Sequence, residues 1–140
     1  MDEPLFTFEK LQVYQNARSF RIRIYKLARL LPKAEYKLKI QMWDAARSLT
    51  NNVAEGHGRY TFKDRKRFIT DARASLQELV DDINLRRDES YAKPEHLCDL
   101  KMDGFALLKQ LNGYSRFFEK EHNARKKKTT PKTEPTIDRT

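Results

Sequence analysis

Ser48, Glu55 and His57 stand close together in the stretch SLTNNVAEGHGRYTFKDRKRF, residues 48–68. A serine, a carboxylate and an imidazole are the raw materials of a nucleophile, an acid and a base. The rest of the chain supplies nothing to complete such a site. No second carboxylate pair, glycine-rich phosphate loop or spaced His/Cys cluster accompanies them. His57, His96 and His122 are far apart in sequence, and none has a partner at metal-ligand spacing. The expectation is a protein without catalytic residues, cofactor or metal.

Electrostatic chemistry is better represented. Arg59, Lys63, Arg65, Lys66 and Arg67 face only Asp64 between positions 59 and 67, and Arg125, Lys126, Lys127 and Lys128 form a second basic cluster. Positive charge at the start of a helix opposes the macrodipole by about 0.3–1 kcal/mol per charge. A phosphate would offset that cost, because backbone N–H groups and nearby Lys or Arg act on the same anion. These nine residues are the candidate nucleic-acid contacts. The competing reading is solvated charge, or charge paired with the acidic stretch Glu78, Asp81 and Asp82 of a neighbouring subunit. Tyr60 and Phe62 flank the run; Phe62 reads as core closing one end of the fold, whereas Tyr60 is open to either role.

A third set is structural. Ser48, Asn52 and Glu55 follow one another at intervals of 4 and 3, and Asn52 and Gly56 continue the apolar register of Leu38, Met42, Ala45 and Leu49. Polar groups in such a seam are costly unless hydrogen-bonded, and they serve to fix register and association. Ser48, Asn52, Glu55 and Gly56 are therefore expected to be a buried polar motif, paired with another helix or another subunit.

The elements that must position these residues are helical. Leu11, Tyr14, Ala17, Ile24, Leu27 and Leu31 recur at helical intervals before Pro32. The seam from Leu38 to Gly56 predicts a second helix ending at EGHG, with Gly56 or Gly58 in the left-handed C-cap conformation. Thr61 and Asp64 resemble a capping box for a third helix carrying Ile69, Ala72, Leu76, Leu79 and Ile83, to about Arg87. Pro94 suits the first turn of a fourth, running through Leu97, Leu100, Gly104, Leu107, Leu111 and Phe118 to about His122. The fold class is all-α, and short links predict an antiparallel up-down-up-down four-helix bundle over residues 1–122. Residues 123–140, with two prolines and Ile137 as the one aliphatic side chain larger than alanine, read as a basic disordered tail.

Composition agrees. The 140 residues are 35% charged, with a net charge of +9, four glycines and five prolines. The balance favours helices and an anionic partner. The single cysteine, Cys98, rules out an internal disulfide and suits a reducing compartment. No apolar run approaches the ~18 residues of a membrane span, and the N-terminus MDEPLFTFEK lacks the cationic start and apolar stretch of a signal peptide. A cytoplasmic location is expected, with no membrane partner.

Four stretches carry a family resemblance: FEKLQVYQNA at 8–17, LPKAEYKL at 31–38, QMWDAARSLTNNVAEGHGR at 41–59 and FITDARASLQEL at 68–79. Together they resemble the bacterial four-helix-bundle proteins encoded in intervening sequences of 23S ribosomal RNA genes. Gln41, Ala46, Ser48, Asn52, Ala54, Glu55, Gly56, Gly58 and Arg59 match the central motif of that family, and Ala72, Ser75, Glu78 and Leu79 its third-helix motif. The chain departs from the pattern at Asp44, where a basic residue is usual, and in its basic extension after His122. The resemblance implies a homo-oligomer, in relatives a homopentamer, with no attached reaction and an association with RNA or the ribosome inferred from gene location. A related branch, the accessory proteins of diversity-generating retroelements, implies the alternative role of an accessory subunit that binds a reverse transcriptase and RNA.

Overall fold

A computed structural model of the chain describes residues 3–129. Four α-helices account for most of it: α1 (Gln12–Arg29), α2 (Tyr36–His57), α3 (Phe62–Asp88) and α4 (Pro94–Thr129). Short 3-10 turns at Thr7–Lys10 and Lys33–Glu35 precede α1 and α2, and there is no strand among the described residues. Helices α1 and α3 each pack against both α2 and α4, so each helix touches two others around a shared core.

The core follows the heptad-like pattern with two adjustments. Val13 and Phe20 join Ala17, Ile24 and Leu27 on the buried face of α1, while Leu11 and Tyr14 are only half-buried. In α2 the buried series is Leu38, Met42, Ala45, Ala46, Leu49, Thr50, Val53 and Gly56. Val53 thus takes the place that a strict heptad gives to Asn52, because a straight helix of 3.6 residues per turn drifts against a repeat of 3.5. Ile69, Ala72, Leu76, Leu79 and Ile83 of α3 and Leu97, Leu100, Leu107, Leu111 and Phe118 of α4 complete the core as the spacing predicts.

The helix ends depart further from the local sequence pattern. Thr61 caps α3 as expected, its side chain accepting a hydrogen bond from the Asp64 backbone N–H at 3.1 Å. The left-handed glycine cap expected at the end of α2 is absent: Gly58 has φ −82° and ψ −4°, and no described glycine has positive φ. The left-handed turn occurs after α3 instead, at Ser90 with φ 58°. There the Tyr91 N–H reaches the Arg86 carbonyl at 2.9 Å and the Ser90 N–H reaches the Arg87 carbonyl at 3.1 Å, the paired bonds of a Schellman motif.

Helix α4 is the second correction. It continues to Thr129, past the boundary placed at His122. The segment NARKKK contains good helix formers, and Lys126, Lys127 and Lys128 at a helix C-terminus complement the macrodipole. Extending an existing helix requires no new nucleus. The expectation of a disordered tail concerns residues 130–140 otherwise, which lie outside the described residues.

Gly56 has a packing role rather than a capping one. A Cβ at this position would lie 3.0 Å from the Phe68 Cβ and 3.6 Å from the Arg65 carbonyl oxygen. Ala45 and Ala46 of α2 and Ala72 of α3 are buried small residues on the same two helices. That closeness brings serines of the two helices together.

Candidate nucleic-acid interface

The polar motif resolves into a short hydrogen-bonded string. Ser75 Oγ of α3 meets Ser48 Oγ of α2 at 2.9 Å. Asn52 Nδ2 donates to Ser48 Oγ at 3.0 Å and to the Ser48 carbonyl at 2.9 Å. Asn52 is half-buried and bonds within its own helix, and Ser48 carries the link to the partner helix α3. Glu55 departs from the expectation. It is exposed and pairs with Arg59 at 2.8 Å, because the drift that buries Val53 and Gly56 turns position 55 outward. Asp44, the departure from the family pattern, is likewise exposed and pairs with Arg47 at 3.1 Å.

Ser48, Glu55 and His57 take up different hydrogen-bond partners. Each is engaged elsewhere: Ser48 with Ser75 and Asn52, Glu55 with Arg59, and His57 with Tyr114. His57 is the last residue of α2, and its Nδ1 lies 2.6 Å from the Tyr114 hydroxyl of α4. Burial, with the nearby Arg65 second, holds the imidazole below its ordinary pKa. Burial also pushes Tyr114 up to about 12.

This contact belongs to one end of the molecule, where the turn from α2 into α3 lies against the latter half of α4. The Phe62 and His122 rings stack at 4.3 Å with an 11° interplanar angle. Lys66 Nζ lies 3.7 Å from Glu119, and the Arg65 guanidinium sits 5.1 Å from the Phe118 ring centroid. The candidate cations divide into two groups. Arg59 and Arg65 are half-buried and built into the turn: Arg65 Nε donates to the Arg59 carbonyl at 2.6 Å, and the Arg59 guanidinium lies 4.6 Å from the Phe68 ring. Lys63, Lys66 and Arg67 are exposed.

The second basic cluster begins at the same end. Arg125 lines a cavity of about 280 Å³ together with Arg65, Tyr60 and Phe62. Lys126, Lys127 and Lys128 are exposed on the following turn of α4. Folding therefore brings positions 65 and 125 to one cavity, a relation that no local sequence pattern contains. Phe62 is half-buried against the core, whereas Tyr60 is 93% exposed.

Sequence reading missed one further group, at the other end of α3. Arg86 is fully buried, and its three guanidinium nitrogens have no hydrogen-bond partner among the described residues. Asp82, one turn earlier, is also buried, so the acidic stretch is not wholly a solvated face. Its carboxyl is raised to about 6 by burial first, then by Glu78 and Asp81. Helical spacing contained this signal, since Leu79, Ile83 and Arg86 share one face.

These features define an all-helical protein with a basic and aromatic end built from α2, α3 and α4. The 23S rRNA-intervening sequence protein family model matches residues 9–113, and the chain belongs to that family. Comparison with curated proteins returned no match. No helix among the described residues is long and apolar enough to cross a membrane.

Proposed function

We propose that the chain is a non-enzymatic, homo-oligomeric binding and scaffolding protein that holds RNA through its basic end in the cytoplasm. In this reading the four helices form an up-down-up-down bundle, assembled as the homopentamer that the family resemblance implies. The observation carrying the proposal is the convergence of the α2–α3 turn and the end of α4 around one cavity, with exposed cations in both segments. Lys63, Lys66, Arg67, Lys126, Lys127 and Lys128 contact phosphates. Arg59, Arg65 and Arg125 shape the surface between them. Such contacts position a strand without reading its sequence. Symmetric assembly repeats the basic end on one particle and raises affinity by multivalency.

Ultraviolet crosslinking in cells, followed by identification of the attached molecules, tests the reading. RNA attached to peptides spanning 59–67 and 123–129 is the expected result. Recovery of a protein partner alone, such as a reverse transcriptase, would overturn it. Light scattering at micromolar concentration tests the assembly separately, and a monomeric mass would remove the oligomer from the account.

A further inference from the structure

We propose that the cavity at the basic end holds one unpaired nucleobase of an RNA strand, stacked on Tyr60. The proposal rests on the RNA-binding reading above and specifies what that end recognises. Tyr60 is 93% exposed, and its ring is free of the aromatic stacking that occupies Phe62 and His122. A large aromatic side chain left in water beside a basic surface offers a π-face to a base without restricting which base it takes.

The cavity walls fit a base better than a phosphate. Phe62 and His122 present a stacked aromatic pair, and Phe118 lies beneath the Arg65 guanidinium. Glu121 also lines the cavity, as do Arg65 and Arg125. A carboxylate there repels a phosphate but accepts hydrogen bonds from the amino or imino groups of a base edge. Its guanidinium neighbours suit the carbonyl and ring-nitrogen acceptors of the same edge. At about 280 Å³ the space is smaller than the usual range for drug-sized ligands, as a single-ring or double-ring base requires. The exposed lysines outside the cavity then take the flanking phosphates. In a duplex the bases are stacked and paired, so only the phosphate contacts remain.

Fluorescence anisotropy with the full chain separates these contributions. The probes are a labelled unpaired RNA of roughly a dozen nucleotides and the duplex of the same length, a span that one such surface covers. Tyr60→Ala removes the stacking face, and Tyr60→Phe keeps it. Both changes fall on a solvent-exposed side chain, and circular dichroism checks that the fold is retained. Tyr60→Ala is expected to weaken single-strand binding at least about fivefold, in line with the loss of one base–aromatic stack. Duplex binding should change less than about twofold, and Tyr60→Phe should bind the single strand like the parent. Unchanged single-strand binding by Tyr60→Ala, or an equal loss for both RNAs, overturns the base site while leaving the phosphate reading in place. A parent chain that binds neither RNA overturns both.

Discussion

Replacing Gly56 by alanine adds one carbon at the tightest point of the α2–α3 contact, and the cost can be worked from the geometry. The new Cβ would be 3.0 Å from the Phe68 Cβ, 3.5 Å from Ile69 Cδ1 and 3.6 Å from the Arg65 carbonyl. Ile69 can rotate its terminal methyl. The Phe68 Cβ is fixed to the α3 backbone, so relief requires the helices to separate by a few tenths of an ångström. Overpacking of this kind costs about 1–3 kcal/mol, against which alanine returns about 1 kcal/mol of helix propensity. The net expectation is a loss of about 0–2 kcal/mol. Gly58→Ala provides the internal control. Its backbone is right-handed and its added Cβ would meet nothing nearer than 3.6 Å, so alanine should be neutral or stabilise by up to about 1 kcal/mol. Urea unfolding followed by helical circular dichroism, at one protein concentration, measures both. If Gly58→Ala is the more destabilising of the two, α2 ends in a left-handed glycine and the packing argument is wrong.

Ser90→Gly should stabilise the chain by about 1 kcal/mol, since glycine relieves a left-handed backbone that serine tolerates poorly; a loss of stability in thermal melts would contradict the Schellman ending. Thr61→Ala should cost about 0.5–2 kcal/mol in the same melts through loss of the α3 cap, and an unchanged midpoint would show that the Asp64 N–H finds an equal partner. The pH dependence has two opposing parts. His57 resists protonation in the fold, so the unfolded chain binds more protons and stability falls as pH drops below about 6.5. Asp82 has its folded pKa raised from 3.8 to about 6, so the folded chain binds the extra proton and stability rises as pH falls from above 6 towards 3.8. Asp82→Asn should therefore stabilise at pH 7.5 by up to roughly 3 kcal/mol, a gain that fades near pH 4; destabilisation across that whole range in urea titrations would refute the burial argument.

Much of the architecture was legible because apolar spacing is local. Four runs of core residues, the Pro32 stop, the Thr61 cap and the Pro94 start all appear within a few positions of one another. The errors share a physical origin in tertiary context. Glycine near a helix end suggests a left-handed cap, yet Gly56 is small because α3 passes against it, and the left-handed residue is Ser90. A strict heptad placed Asn52 in the seam and Glu55 beside it, whereas helical drift buries Val53 and exposes Glu55. Continuing α4 to Thr129 needed only favourable propensity on an existing helix, which composition-based reading of a basic tail does not register. The candidate interface was legible as two separate basic clusters. Its cavity was not, because Tyr60, Arg65 and Arg125 meet only when the α2–α3 turn packs on α4.

The salt dependence of RNA binding tests the central claim most directly. Each phosphate neutralised by a cation releases counterions, so log K should fall with log salt by about 0.7 per contact on a single strand. The decisive comparison is between the parent chain and one in which Lys63, Lys66, Arg67, Lys126, Lys127 and Lys128 are changed to Gln, which retains helix-forming side chains. The account predicts steep salt dependence for the parent, and for the variant both weaker binding at about 0.15 M salt and a slope shallower by several units, equally for unrelated RNA sequences. A variant that binds as tightly as the parent with an unchanged slope would contradict the account and direct attention to a protein partner.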